Sequence, residues 1–304
     1  MDSSARRRSA ANSRPTVRRC ILPSVTLSIV IITHNEEANF ARTLKSVQPL
    51  VSDGKGEIIV VDSGSTDRTV EIANSFGAKV FIEEWKGFAA QKNSAIDKAT
   101  GDWILSLDAD EEVSPELVKG IARTVQFPPH ADKFRQKLPE GTAAPILING
   151  MAMPRQNFFL GRWMRYGGFW PDRKLRLFRR GTGKFKVAAV HESLEVDEWR
   201  SGSLRLTHGH LPGALLHHSY PTLSDYIEHM NRYSSLGAEM VVATGKVRFS
   251  VINIIVRPLL TFIYNYFLRL GFLDGREGLL LHLYHAVYVS WKYAKAWELS
   301  RQQP

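Results

Sequence analysis

One cysteine, Cys20, stands in 304 residues. An internal disulfide is therefore excluded, and the composition fits a reducing compartment. The sequence contains no N-x-[ST] triplet, so nothing in it points to glycosylation. Long apolar runs are missing too. No uncharged apolar run reaches the roughly 18 residues that a membrane-crossing helix needs. The first 26 residues hold almost no acids and lack the apolar centre expected of a secretory signal, but they carry Arg6, Arg7, Arg8, Arg14, Arg18 and Arg19. An organelle transit peptide shares that composition. A disordered basic arm over 1–26 is the plainer expectation.

What is present is ample apolar material, 44% of the chain, enough for one large core or two modest ones. Lys and Arg number 40 against 30 Asp and Glu, for a formal net charge of +10. That balance favours anionic partners: phosphorylated small molecules, acidic lipid or nucleic acid. Nucleic acid is set aside, because no recognised motif occurs and the aromatic residues are not arranged on a basic sheet face.

From residue 27 the chain alternates strand and helix. The β-branched run LSIVIIT (27–33) predicts a strand, and 36–47 has helical spacing of Ala38, Ala41, Leu44 and Val47. Strands are expected at 57–62, 79–82 and 103–108, with helices at 69–76 and 88–99 between them. Ser114, Pro115 and Glu116 open another helix as N-cap, first helical residue and first-turn acid. Apolar strands separated by helices mean a parallel sheet covered on both faces. Residues 127–145 read as a loop, followed by mixed strands at 146–153, 173–180 and 190–196. Helices are expected at 222–244, 248–271 and 276–298. The expected division is a basic arm (1–26), an α/β half (27–126), a region completing that domain (127–220) and a helical region (221–304).

Ligands of open parallel sheets bind beyond the carboxyl ends of the strands. Three expected strands end there in polar residues: Thr33-His34-Asn35-Glu36, Asp62 with SGSTD after it, and Asp108-Ala109-Asp110. Helix capping accounts equally well for Thr66 and Asp67. It does not account for Asp62, nor for Asp108 and Asp110, since Ser114 caps the next helix. Two aspartates one residue apart after a buried strand suit a hard cation, Mg²⁺ or Mn²⁺. Glu111 and Glu112 read as a solvated approach to the following helix. The first strand-to-helix turn, THNEEANF, has no glycine, so the G-x-G-x-x-G dinucleotide fingerprint is absent, as is a Walker A sequence. Phosphates would have to be met by a metal and basic side chains.

The segments SIVIITHNEEANFARTLKSV, EIIVVDSGSTDRTVEIA, QKNSAIDKATGDWILSLDADE and VHE, in that order, resemble the inverting family 2 glycosyltransferases. Within that family the chain looks most similar to lipopolysaccharide-core glucosyltransferases of bacteria. The likeness is strong over 27–126, looser through PDRKLRLFRRGTGKF and VHESLEV, and returns in FLDGREGLLLHLYHAVYVSWKYAKAWE. The resemblance implies a GT-A fold, a Rossmann-like mostly parallel sheet with helices on both faces plus a C-terminal helical region. It implies a nucleotide-sugar donor, UDP-sugar favoured, and a glycolipid or lipopolysaccharide acceptor. Carried over by position, Thr33, Asn35, Glu36 and Asp62 would meet base and ribose, and Lys92 would lie near the nucleotide. Asp108 would bind ribose or metal, and Asp110 the metal.

Arg173, Lys174, Arg176, Arg179 and Arg180 are candidates for stabilising the departing diphosphate, although strand alternation lets only some share a face. Inverting transfer needs a base, and the acidic pair usual in relatives is His191-Glu192 here. Glu192 is the expected base, with His191 left open as base, ligand or structural residue. His217 is preferred over His218 as a further metal ligand, which would lean the choice towards Mn²⁺. His208 and His210 are expected in a turn.

The segments 249–273 and 278–297 mix bulky apolar residues with aromatic and basic ones, which suits helices that pack partly on the core and partly on an anionic bilayer interface. Pro258 should kink the first or start a helix there. The expected location is cytoplasmic, peripheral to the cytoplasmic face of the inner membrane. Two other readings stay open at this point: transfer to an already ionised polyprenyl phosphate, and a non-catalytic protein of anionic membranes.

Overall fold

A computed structural model describes residues 26–126, 149–186, 193–196, 200–201, 204–205, 209–245 and 247–302. The expected basic arm up to residue 25 and the expected loop at 127–145 lie outside them, as do residues 146–148.

The sheet begins as the sequence pattern requires. Strands β1 (Leu27–Thr33), β2 (Gly56–Asp62), β3 (Lys79–Ile82) and β4 (Trp103–Asp108) lie parallel in the order β3-β2-β1-β4. Helices α1 (Glu37–Val51), α2 (Thr69–Ser75), α3 (Phe88–Asp97) and, after a short β5 (Glu111–Val113), α4 (Pro115–Val125) make the connections. Because successive side chains of a strand point to opposite faces, Ile29 and Ile31 join Phe40, Leu44 and Val47 of α1 in one core. Val30 joins Ile59, Val61 and Ala95 of α3 in the other. Each fully buried Val, Leu, Ile or Phe among them contributes roughly 1.5–3 kcal/mol. Gly101 lets the α3–β4 connection press on β1, where an added Cβ would stand 2.6 Å from the Ser28 nitrogen.

Beyond β4 the sheet becomes mixed. Strands β6 (Gly150–Phe159), β7 (Arg162–Trp163) and β8 (Asp172–Arg179) follow. The two-stranded β9 (Gly183–Lys186) and β10 (Ser193–Val196) come next, then β11 (Arg200–Ser201) and β12 (Leu204–Arg205). Strands β13 (Gly209–His210) and β14 (Leu215–Tyr220) complete the region. The main sheet runs β3-β2-β1-β4-β8-β6-β14-β5, with β8 antiparallel to both neighbours and β14 antiparallel to β5. Thus β5 returns the chain after Asp110 to the sheet, and Glu111, expected in a solvated approach, is fully buried there.

Helix α5 (Leu223–Ala243) starts at a Thr222–Asp225 capping box and packs on α7 (Gly275–Gln302). The helix expected at 248–271 is present as one unbroken helical run over 251–268, in which the hydrogen bonding alternates between π and α. A π-helical turn at Ile252–Val256 precedes α6 (Arg257–Ile263), and another at Tyr264–Leu268 follows it. Pro258, with no N–H to donate, stands in the first turn of α6. Among the described residues no helix is long and apolar enough to cross a membrane.

Candidate active site

The carboxyl ends of β1, β2 and β4 lie side by side, with Thr33 in register with Asp62 and Ile32 with Asp108. Asp62 is buried and its carboxylate is filled by local donors. Oδ1 accepts from the Gly64 and Ser65 amides at 2.9 and 2.8 Å, and Oδ2 from the Thr33 and Ser65 hydroxyls at 2.8 and 2.5 Å. Asp62 therefore shapes the 63–66 turn. Asn35, in the left-handed region at φ 54°, carries that turn onward: its amide N–H donates to Ser65 Oγ and its Oδ1 accepts from the Thr66 amide, both at 2.8 Å. Asp67 has the capping part expected of it, accepting from the Thr69 amide at 3.0 Å and the Glu37 amide at 3.1 Å.

At the end of β4 a buried charge network forms. Asp108 Oδ1 lies 2.7 Å from Lys92 Nζ, and its Oδ2 accepts from Arg176 Nη2. The same Nη2 reaches Glu111 Oε1 at 2.8 Å, while Glu111 Oε2 accepts from the Asp108 amide at 3.1 Å. Arg155 adds a contact to Glu111 at 3.3 Å and pairs with Asp172 at 2.8 Å, which Lys174 also meets at 3.0 Å. Burial alone would raise the Asp108 carboxyl, but Arg176 and Lys92 outweigh it and hold it well below its usual range. Burial likewise opposes the charge on Arg176, and Asp108 and Glu111 overcome it, so the guanidinium stays charged.

Strand alternation puts Asp172, Lys174 and Arg176 on one face of β8, and of the five basic candidates Lys174 and Arg176 enter this network. Met151 pairs with Leu177 and Ala152 with Leu175, so Arg176 is the unpaired extra residue of β8. Such an insertion interrupts the alternation. Arg176, Leu177 and Phe178 are all buried in succession, with Leu177 in one core and Phe178 in the other. Of the others, Arg179 lies over the Trp103 ring and Arg180 donates to the Gly101 carbonyl.

Asp110 has a different partner. Its Oδ2 lies 3.2 Å from Nε2 of His217 on β14. The other ring nitrogen, Nδ1, is 2.8 Å from Asn157 Oδ1 on β6 and 2.6 Å from Ser219 Oγ. An amide oxygen only accepts, so Nδ1–H donates to Asn157 Oδ1 and Nε2 is the nitrogen turned towards Asp110. With Nε2 unprotonated, the imidazole nitrogen and the carboxylate could share a cation. A carboxylate oxygen and an imidazole nitrogen form a donor set that fits Mn²⁺ better than Mg²⁺. Among the described residues no third His, Cys, Asp or Glu completes a cluster that could hold a metal, so phosphate and water oxygens would fill the other positions. Burial and the nearby Asp110 charge push Glu36 up to about 7.

The structure thus brings Thr33, Asn35, Glu36, Asp62, Lys92, Asp108, Asp110, Arg176 and His217 to one end of the sheet. Asp108, expected at ribose or metal, has both oxygens on cations. His218 instead stacks on Phe158, and His210 lies exposed in β13. His191 and Glu192, the expected catalytic pair, and His208 lie outside the described residues. Sequence reasoning passed over Arg155, Asn157, Asp172 and Ser219. The signal for the first two was their period-2 spacing on β6, which puts Arg155 and Asn157 on one face.

The model for the family described as Glycosyl transferase family 2 matches residues 28–185. A lipopolysaccharide core biosynthesis glycosyltransferase, LpsC, of Rhizobium meliloti is 30% identical over 91% of this chain and 94% of its own. An uncharacterized glycosyltransferase of Rickettsia typhi is 32% identical over 90% of this chain and 87% of its own. A solved glucosyl-3-phosphoglycerate synthase from Mycobacterium tuberculosis, in complex with Mn²⁺, UDP and product, is 25% identical over 44% of each chain. Its TM-score of 0.31 marks a partial overlap that bears on nothing at this site. The mostly parallel sheet, covered on both faces and followed by helices, is the GT-A arrangement that the sequence resemblance implied.

Proposed function

The chain belongs to glycosyl transferase family 2 and is a glycosyltransferase, and from that premise we propose a metal-dependent, inverting transfer from a nucleotide-sugar to a lipid-linked or lipopolysaccharide-core acceptor. UDP is the favoured nucleotide. The observation that carries the reading is the Asp110–His217 pair, 3.2 Å apart at the ligand-binding end of the sheet. The name of the Rhizobium relative supports the acceptor class.

In this reading Asp110 and His217 hold Mn²⁺ or Mg²⁺, which when bound neutralises the departing diphosphate as a Lewis acid. Asn157 and Ser219 fix the His217 tautomer and ring plane. Lys92 and Arg176 keep Asp108 ionised and the strand end rigid, so that the site does not reorganise as charge develops. The Thr33–Glu36 turn, locked to the Asp62 turn, borders the base and ribose. Glu192, with His191 beside it, takes the proton of the acceptor hydroxyl as that oxygen attacks the anomeric carbon and the nucleoside diphosphate leaves.

Membrane contact belongs to the same proposal. The segment from Phe249 to Leu273 exposes Ile252, Leu259, Leu260, Phe267 and Leu268 at 52–71% of their surfaces. Soluble proteins rarely leave so large an apolar patch bare. Cations ride on aromatic rings around it: Arg257 over Tyr293, Arg269 over Tyr264 and Arg301 over Trp297. An apolar face with an aromatic and basic rim suits the cytoplasmic surface of an anionic bilayer.

The test is a screen of nucleotide-sugars scored by diphosphate release with Mn²⁺ and a truncated-core lipopolysaccharide. Acceptor-stimulated release from one UDP-sugar is expected, abolished by Asp110→Ala and by Glu192→Ala. Release that persists at full rate in Asp110→Ala, or no release from any donor, refutes the reading. Loss in Asp110→Ala with full activity in Glu192→Ala would instead indicate an acceptor already ionised, such as a polyprenyl phosphate.

A further inference from the structure

A cavity of about 300 Å³ opens beside His217, bounded by β6, β14, the connection between β7 and β8, and helix α7. Asn157, Phe158, Phe169, Asp172, Tyr220 and Leu281 line it. We propose that this cavity is the acceptor-sugar subsite and that the C-terminal helices build one of its walls. The proposal rests on the transferase reading above.

Position is the first argument. Transfer requires the acceptor hydroxyl to lie next to the anomeric carbon, which is bonded to the diphosphate at Asp110 and His217. His217 itself lines the cavity, so its occupant sits where an acceptor must. Lining chemistry is the second. A pyranose offers an apolar C–H face and a rim of hydroxyl donors. Phe158, Phe169 and Tyr220 supply flat apolar surface. Asp172, ionised between Arg155 and Lys174, supplies an acceptor for hydroxyls, since a carboxylate has about four lone-pair sites. Small-molecule sites run from roughly 300 to 1,000 Å³, and the low end suits one sugar ring rather than an extended glycan.

Construction of the wall is the third. Gly168 and Phe169 belong to a turn that the helices hold in place. The buried Asp274 carboxylate accepts from the amides of Arg165 and Tyr166 at 2.9–3.2 Å, and the Gly167 amide donates to the Arg269 carbonyl at 2.9 Å. Gly167 has φ 66°, and an added Cβ would fall 2.0 Å from the His282 ring, so the turn is seated on α7 without slack. On α7 itself Leu281 lines the cavity while Leu279 and Leu283 are exposed. One helix therefore presents one side to the sugar subsite and another to the face proposed to meet lipid. That geometry fits an acceptor whose sugar is reached from the bilayer surface.

The decisive experiment compares the full chain with Phe169→Ala, using the donor found in the screen and truncated-core lipopolysaccharide in detergent micelles. The acceptor KM should rise at least tenfold, while the calorimetric affinity for UDP with Mn²⁺ stays within twofold. An acceptor KM within twofold of wild type, or a UDP affinity that falls in parallel, overturns the proposal. If the wild-type chain releases no diphosphate from any donor, it is the transferase reading that fails. Should Phe169→Ala lower the melting temperature strongly, Leu281→Cys in a Cys20→Ser background decides. A small methanethiosulfonate should then abolish transfer, and added acceptor should slow that inactivation; transfer that resists the reagent refutes the subsite.

Discussion

Replacing Arg176 by methionine isolates the role of the buried charge network. The Arg176 side chain is 6% exposed, Glu111 is fully buried and Asp108 is 27% exposed, and the guanidinium is shared between the two acids. The cluster comprises three carboxylates, Asp108, Glu111 and Asp172, and four cations, Lys92, Arg155, Lys174 and Arg176. Methionine matches the stem of arginine but takes the shared cation from Asp108 and Glu111, leaving the fully buried Glu111 with only the longer Arg155 contact. Breaking a buried pair by removing one partner costs about 3–5 kcal/mol. Lys92 still holds Asp108 and Arg155 still touches Glu111, so the lower figure applies, about 3 kcal/mol. At about 2–4 °C per kcal/mol for a large domain, the melting temperature should fall by roughly 6–12 °C at pH 7.5. Adding Glu111→Gln removes the stranded charge and should recover at least half of that loss. Differential scanning calorimetry of the wild type, both single variants and the double variant reads the coupling directly. An Arg176→Met protein melting within 1 °C of wild type, or a double variant no more stable than Arg176→Met, would show that the network does not hold the strand end together.

Two further outcomes follow from other parts of the molecule. Glu57 ties β2 to its neighbours through Lys79, Ser28 and Thr100; burial would raise its carboxyl, but these partners prevail and lower it to about 2. A carboxyl lowered on folding stabilises above its ordinary value of 4.5 and loses that contribution as pH falls towards 2. Glu57→Gln should thus cost about 1 kcal/mol at pH 6, after allowing for solvent screening, and almost nothing near pH 2.5. Urea titrations at the two pH values check this, and a pH-independent difference counts against it. On the apolar face, Leu260→Ser with Leu268→Ser should reduce flotation on vesicles containing anionic lipid at least tenfold without lowering UDP affinity, and unchanged flotation removes that face from the membrane proposal.

The first half of the fold was legible because its strands are continuous β-branched runs ended by polar turns, and the Ser114-Pro115-Glu116 signature opens α4 as expected, with Ser114 Oγ accepting from the Leu117 amide at 3.3 Å. The second half was less so. Strand β8 and its alternation could be read, but which face is buried against Asp108 and Glu111 could not, so Arg176 was not separable from Arg173, Arg179 and Arg180. Glu111 looked solvated because acids usually are. Its burial depends on Arg155 and Arg176, which stand 44 and 65 positions away in sequence. The pairing of Asp110 with His217 was legible as residue types and order. The partners that orient the imidazole, Asn157 and Ser219, were not, since neutral polar residues on strands carry no signal of their own. The helix expected at 248–271 is one run over 251–268, but apolar composition gives no sign of the π-helical turns on either side of Pro258.

The central claim is that Asp110 and His217 form a cation site that serves a bound nucleoside diphosphate, and calorimetric titration of UDP with and without Mn²⁺ tests it most directly. Wild type should bind UDP at least tenfold more tightly with Mn²⁺ than in EDTA. Asp110→Ala and His217→Ala should each erase that difference while melting within a few degrees of wild type. Metal-independent UDP binding in the wild type, or an Mn²⁺ enhancement that survives in folded Asp110→Ala, would contradict the account.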